Sequence, residues 1–252
     1  MDSVVAIYKR RGETPLQALS RLRVEKSELV NETLSYAGRL DPLAEGLMLV
    51  LIGEENKNRE KYLGLDKTYI VEILCGVSTD THDLLGLVTE VGSKEITLKK
   101  FTESVSSFVG KFTQKYPAFS SKTVGGVQLH ELSRKGEIVD VPEHEVSLYS
   151  AGIISSKVVT GKEVLENALL SVDLIDGDFR QEETKEKWET KLRDVNMEFV
   201  LFEVELNVSS GFYVRQLASD LGEKLGVPAL AYSIKRTKVG EWEIPGLTST
   251  FN

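Results

Sequence analysis

Tyr36-Ala37-Gly38-Arg39-Leu40-Asp41-Pro42-Leu43-Ala44-Glu45-Gly46 runs directly into Leu47-Met48-Leu49-Val50-Leu51-Ile52. The second half is apolar at every position and is bounded by Gly46 and Gly53. A short, non-alternating run of this kind predicts a buried strand. The first half predicts a glycine-flanked loop that carries Asp41 between an arginine and a proline to the mouth of that strand. A carboxylate held in such a place is a nucleophile candidate. An Asp before Pro is also a common turn former, and the residues alone leave both readings open.

Working outward, Val4 to Tyr8 predicts a short strand, and Thr14-Pro15 supplies a cap and first-turn proline for a helix whose apolar positions are Leu16, Leu19 and Leu22. Tyr69 to Cys75 predicts a second buried strand. Thr97 can cap a helix with Phe101, Val105, Phe108 and Val109 at helical spacing until Gly110. Val200, Phe202, Val204, Leu206 and Val208 alternate with more polar neighbours, the pattern of a half-buried strand. Val214, Ala218, Leu221 and Leu225 mark a helix stopped by Gly226 and Pro228. Interleaved strands and helices predict an α+β fold, a mixed sheet flanked by helices.

Residues 161–196 differ in character. A helix is expected over Lys162 to Leu170, followed by a highly charged one over Gln181 to Arg193. Glu183 with Lys187 and Glu189 with Arg193 stand at i,i+4, so this second helix is expected to face solvent, weakly supported by those pairs. The stretch reads as an insertion.

The 252 residues suffice for a substantial core, and 41% hydrophobic with 28% charged residues is ordinary for a globular chain. No apolar run approaches the ~20 residues of a membrane helix, and the start, with Asp2 and then Val4-Val5-Ala6-Ile7, lacks the basic and long apolar parts of a secretory signal. The expected location is therefore cytoplasmic, without a membrane. Cys75 is the only cysteine, which excludes an intrachain disulfide. A net charge of −8 argues against a uniformly basic coat for nucleic acid, although basic clusters recur at Lys9-Arg10-Arg11, Lys57 to Lys67, Lys111 to Lys122 and Lys235 to Lys238.

No phosphate loop, dinucleotide fingerprint or nucleophile elbow is present. His82, His130 and His144 lack metal-ligand spacing and are expected to be surface or packing residues. Asp80 and Asp83, in Thr-Asp-Thr-His-Asp, are expected to fold a turn by bonding to its own backbone.

Gly38-Arg39-Leu40-Asp41-Pro42-Leu43-Ala44-x-Gly46 resembles the catalytic-aspartate motif of pseudouridine synthases, and its D-P-L-A-x-G part resembles the TruB family. Lys67-Thr68-Tyr69 is similar to that family's K-x-Y motif, and Thr79-Asp80-Thr81-x-Asp83-x-x-Gly86 to the segment that follows it. Gln114-x-x-Pro117-x-Phe119-Ser120, Gly211-Phe212-Tyr213-Val214-Arg215-x-Leu217-Ala218-x-Asp220-Leu221-Gly222 and Arg236-Thr237-x-Val239-Gly240 resemble three further motifs in the same order.

The resemblance implies a single catalytic domain over residues 1–252 with the pseudouridine-synthase fold: a mixed, mostly antiparallel central sheet flanked by helices and loops, a thumb-like RNA-binding segment at about 110–140 and the helical insertion at 161–196. It implies isomerisation of uridine to pseudouridine at position 55, in the T loop of tRNA, without cofactor or metal, by a monomer whose partner is the tRNA T-arm. Asp41 would be the nucleophile, Tyr69 the aromatic that stacks on the base and moves a proton, and Arg215 the partner of Asp41. Lys9, Tyr36, Arg39, Leu40, Lys67 and Tyr213 would contact substrate. Here Lys9 is followed by Arg10 where the family usually has proline, Tyr36 replaces a histidine, and Arg39 resembles the related ribosomal-RNA synthases. Another RNA, such as ribosomal RNA, is therefore the alternative substrate; a non-catalytic RNA-binding or chaperone protein of the same fold is the alternative from another class. Only twelve residues follow Gly240, so the small RNA-binding PUA domain usual in bacterial members is expected to be absent.

Overall fold

The computed structural model describes residues 3–92, 94–136, 140–194 and 196–244. Asp2, residues 137–139 of the expected thumb, residue 195 of the insertion and the residues after 244 lie outside this described part. The chain opens with β1 (Val4–Lys9), α1 (Pro15–Glu25), β2 (Leu34–Ala37), β3 (Glu45–Ile52), α2 (Arg59–Leu63) and β4 (Lys67–Cys75). A small hairpin of β5 (Val77–Thr79) and β6 (Val88–Val91) leads to α3 (Leu98–Ser106) and β7 (Gly110–Lys115). Then come β8 (Thr123–Val124), β9 (Val127–Gln128), α4 (Leu129–Arg134) and the long β10 (Glu143–Thr160). The chain continues through α5 (Gly161–Asp173), α6 (Gln181–Lys191), β11 (Glu198–Val208), α7 (Val214–Leu225), β12 (Ala229–Val239) and β13 (Trp242–Glu243).

The main sheet has the order β1-β3-β12-β4-β11-β10-β7, with β2 added to β3 and β13 to β12. Its pairings are antiparallel except that β12 runs parallel to β3. This is the mixed, mostly antiparallel α+β sheet expected from the sequence. No helix among the described residues is long and apolar enough to cross a membrane.

β4 and β11 lie at the centre because side chains on both of their faces find cover. Val71, Ile73, Phe202, Val204 and Leu206 pack under α3 and α7, against Phe101, Leu217 and Leu221. On the opposite face, Leu74, Phe199 and Leu201 pack under α5 and α6, against Val164, Ala168 and Trp188. The expected half-buried β11 is thus buried on both faces at Leu201, and the cover comes from the insertion.

Local signals mostly hold, with three differences. Thr14 and Gln17 form a reciprocal capping box at α1, yet Leu16 is 66% exposed. The buried stripe is Pro15, Ala18, Leu19 and Leu22, the i, i+3, i+4, i+7 face of the helix. Thr97 caps α3 as expected, but the helix stops at Ser106. The amides of Phe108 and Val109 bond three residues back, which tightens the last turn and swings Val109 into solvent. Third, α6 is not held by its surface pairs: neither Glu183 with Lys187 nor Glu189 with Arg193 forms, and Lys185 pairs with Asp173 instead. Thr184, Trp188 and Leu192 are fully buried and anchor the helix.

The turn expected from Asp80 and Asp83 is present. Asp80 Oδ1 accepts from the Leu87 amide at 2.8 Å, and Asp83 Oδ1 from the Leu85 amide at 3.0 Å. His82 sits between them in the left-handed region, φ 60°, and its carbonyl accepts from the Ala231 amide at 3.0 Å. Burial, and next the nearby Arg215 cation, hold the His82 ring neutral down to about 4, against an ordinary 6.5.

Trp188→Ala removes a fully buried ring and should cost about 3–5 kcal/mol, read by chemical denaturation; a loss below about 1 kcal/mol would show that the insertion does not depend on that anchor. For His82, between pH 6.5 and about 4 the unfolded chain binds a proton that the folded chain does not, so its contribution to stability is lost as pH falls through that window. His82→Asn, which tolerates the left-handed backbone, should flatten the slope of unfolding free energy there. An unchanged slope would assign the pH dependence elsewhere.

Candidate active site

The loop that carries Asp41 is fixed from below by a close backbone approach. Gly46 has φ +110°, and a Cβ there would lie 2.2 Å from the Arg236 carbonyl oxygen, so only glycine lets β3 reach β12 at this point. Arg236 is itself fully buried and donates to Leu47 O at 2.7 Å and to Gly38 O at 2.9 Å, tying both ends of the loop to β12. The middle is held from the other side. Lys9 Nζ donates to the carbonyls of Arg10, Glu13 and Pro42, and the Gly12 amide also bonds Pro42 O, at 3.0 Å. The Ala44 amide returns to Asp41 O at 3.1 Å, so Asp41 forms a turn and presents its side chain from it.

Opposite stands the start of α7. Gln114 is buried and clamps Tyr213 twice, accepting from its amide at 2.8 Å and donating to its carbonyl at 3.0 Å. At the second residue of the helix, Arg215 Nε donates to Asp41 Oδ2 at 2.7 Å, Nη1 to Thr81 O at 2.6 Å and Nη2 to Phe119 O at 3.4 Å. Asp83 Oδ2 stands 3.6 Å from the same Nε. The Arg215 side chain is 4% exposed and that of Asp41 is 36% exposed, so the buried cation leaves the carboxylate open to the cavity.

Burial works against the charge on Arg215, but Asp41 and Asp83 outweigh it and keep the guanidinium protonated above its ordinary range. Burial raises the Asp83 carboxyl, and Arg215 opposes that rise. Burial and then Asp41 raise the Tyr213 hydroxyl. Lys9 and Lys67 are pulled down to about 8, chiefly by burial; Arg236 adds to the effect at Lys67.

These groups surround a cavity of about 720 Å³, within the size range of small-molecule sites. Of the residues singled out in the sequence, Asp41, Tyr69, Arg215, Tyr213, Leu40, Arg39 and Lys67 line it. Tyr69 reaches it from β4, Arg39 stands exposed at its rim, and the Lys67 ammonium turns to the carbonyls of Leu63 and Leu65. Lys9 and Tyr36 do not line it. The Lys9 ammonium is consumed by loop carbonyls, and the Tyr36 ring packs with the cluster beneath α1. Arg236, Gln114 and Phe119 carry no role legible from the residues alone, although all three lie in the motifs quoted above, and Asp83 reads there only as a turn former. Arg236 stands in the basic run Lys235-Arg236-Thr237-Lys238, of whose three cations it alone is buried, so the local pattern carries no signal for its role. Phe179 and Arg180, from the insertion, also line the cavity, and nothing in the sequence pointed to them. Among the described residues, no three His, Cys, Asp or Glu side chains gather as a metal-ligating group.

Known proteins share this arrangement of chain. A solved Cbf5–Nop10–Gar1 complex contains a chain that superposes with a TM-score of 0.57 over 95% of this chain, at 17% identity, which shows the common fold. A structure of an H/ACA ribonucleoprotein bound to a substrate RNA containing 2'-deoxyuridine gives 0.55 at 16% identity. This chain spans about half the length of those two, 49% and 48%. By sequence it is 31% identical to the tRNA pseudouridine synthase B of Thermosipho melanesiensis over 252 residues, covering 68% of that protein. It is 29% identical to the protein of the same name from Aquifex aeolicus over 241 residues, covering 69% of it. The profile of the TruB family pseudouridylate synthase N-terminal domain matches residues 26–174, which include the Asp41 loop and Tyr69. With the sheet, the loop motif and a relative aligned over the whole of this chain in agreement, the chain belongs to the TruB family of pseudouridylate synthases.

Proposed function

We propose that this chain isomerises a uridine of tRNA to pseudouridine, at T-loop position 55, with Asp41 as nucleophile. The observation that carries this is the Asp41–Arg215 pair, a carboxylate open to a cavity and held at 2.7 Å by a buried guanidinium. The names of the relatives from Thermosipho melanesiensis and Aquifex aeolicus support tRNA as the substrate. A uridine must first leave its stack, at a cost of a few kcal/mol, and stacking on an aromatic offsets about 1–3 kcal/mol per base. Tyr69 is the aromatic of the cavity wall that takes this role. Tyr36, packed beneath α1, is not needed for it.

The bond between C1' and N1 then breaks, and C1' becomes electron-deficient. An ionised carboxylate beside it stabilises that charge and can form a covalent adduct. Arg215, bonded to Asp41 at 2.7 Å, gives the carboxylate a fixed partner as the base excludes water. The detached uracil, which carries the electron pair of the broken bond, turns and C5 bonds to C1', releasing the Asp41 carboxylate where an adduct has formed. C5 then loses its proton through the Tyr69 hydroxyl, and N1 gains one, so the isomer keeps the same number of hydrogens. No atom is gained and no electron is transferred, so the balance of the reaction requires no oxidant, reductant or carried group. Arg39 on the rim and the thumb-like segment of about 110–140, with Lys111 to Lys122, supply cations for phosphates despite the net charge of −8. A monomer working in the cytoplasm is part of the same proposal, and a single buried cysteine fits a reducing compartment.

Release of tritium from uridines labelled at C5 in a tRNA transcript tests the proposal, with ribosomal-RNA transcripts as the alternative substrate. Release from ribosomal RNA alone would move the substrate and keep the chemistry; release from neither would overturn the proposal. Asp41→Asn keeps the shape and loses the anion, so single-turnover activity should vanish while RNA affinity stays within about threefold of wild type. Turnover within tenfold of wild type would remove Asp41 from the mechanism. Tyr69→Phe keeps the ring and should bind RNA normally, yet slow the single-turnover step by about 100-fold, the scale of a positioned acid or base. An unchanged rate would leave Tyr69 only its stacking role.

A further inference from the structure

The insertion approaches the cavity in a way that its acidic, solvent-facing sequence does not suggest. Its α5–α6 connection turns at Arg180, whose backbone is left-handed at φ 59°, and the side chain points at the cavity rim. There Nη1 and Nη2 donate to the two oxygens of Asp80 at 2.9 and 3.3 Å, a two-pronged pair with both side chains about three-quarters buried. The same guanidinium lies over the Phe119 ring at 4.6 Å. Two more bonds fasten α6 to the segment that follows Asp80: Trp188 Nε1 donates to Leu84 O at 3.2 Å and Thr184 Oγ1 to Leu85 O at 3.3 Å.

The segment so gripped, residues 80–87, offers Thr81 O and Asp83 to Arg215, and Phe119 offers its carbonyl to the same cation. The insertion therefore holds, from outside, the two pieces of chain that orient Arg215 from inside. The geometry points to Arg180 as a positioning residue for the proposed uridine isomerisation. Through Asp80 and Phe119 it fixes the groups that aim Arg215 at Asp41, and residues 161–196 act as a brace for the active site. This inference rests on the proposed reaction for its kinetic consequence but not for its structural one.

The test compares wild type with Arg180→Ala, Arg180→Lys, Asp80→Asn and the double variant Arg180→Ala with Asp80→Asn. Amide hydrogen exchange needs no RNA. The Leu87 amide, which donates to Asp80 Oδ1, should exchange at least about tenfold faster in Arg180→Ala while the amides of β4 and β11 keep their protection. At saturating tRNA transcript, the single-turnover rate should fall by about 10- to 100-fold, the scale of a small misplacement of catalytic groups. The tRNA dissociation constant should stay within about threefold and its salt dependence should not change. Asp80→Asn should reproduce the effect, and the double variant should be no worse than either single one, because the two residues act as one unit. Lysine, which keeps the charge but not the two-pronged geometry, should restore only part of the rate.

Unchanged Leu87 exchange would overturn the brace whether or not the enzyme acts on tRNA. Faster exchange with an unchanged rate would overturn the positioning role. Weakened tRNA binding with a shallower salt dependence would instead identify Arg180 as a phosphate contact and overturn it too.

Discussion

A guanidinium with only 4% of its side chain exposed has to satisfy its donors inside the protein, and Arg215 does so with groups from three separate parts of the chain. The carboxylate comes from the loop before β3, one carbonyl from the segment before β6, and another from the stretch between β7 and β8. Desolvating such a cation is costly, and removing one partner of a buried pair is usually worse than removing both. The folded chain therefore brings these three segments together or leaves a charge unpaired. The cavity exists because they meet. The same requirement makes the open face of Asp41 available, since Arg215 engages it from beneath.

The platform under the pair depends on backbone approach more than on side-chain packing. Gly46 lets β3 run against β12 closely enough for Arg236 to reach carbonyls on both sides of the Asp41 loop. Lys9 closes the loop from the β1 side at Pro42 O. Both cations are spent on main-chain oxygens, which explains why burying them is tolerable and why Lys9 is not free to meet RNA. Rigidity of this kind suits the nucleophile role proposed for Asp41, in which the carboxylate meets a sugar carbon without a layer of water between them.

The insertion shows how a charged surface helix can still be part of a core. In α6 the buried contacts are Thr184 and Trp188, at i and i+4, with Leu192 one turn later. Three apolar or small residues among many charged ones are a weak periodic signal, so the helix reads as solvent-facing although Trp188 fills the space above Leu74 and Leu201. The ion pairs suggested by spacing do not form, in keeping with the small worth of exposed pairs.

Local chemistry was legible in the sequence wherever one element carried the whole signal. The buried strand after Gly46, the Thr14 and Thr97 caps, the stop at Gly226, the turn at Asp80 and Asp83, and the ordered motifs around Asp41, Tyr69 and Arg215 all depend on neighbours within a few residues, where periodicity and backbone preference act. Tertiary structure alone decided which of those residues face one another. Lys9 stands beside the motif loop yet turns to carbonyls, Tyr36 stands within the motif yet packs beneath α1, and Arg180 stands 139 positions from Asp41 in number yet lines the same cavity. No local pattern encodes such meetings. They result from burying both faces of β4 and β11 at once, which draws α7 over one side and the insertion over the other and brings their polar ends to a single rim.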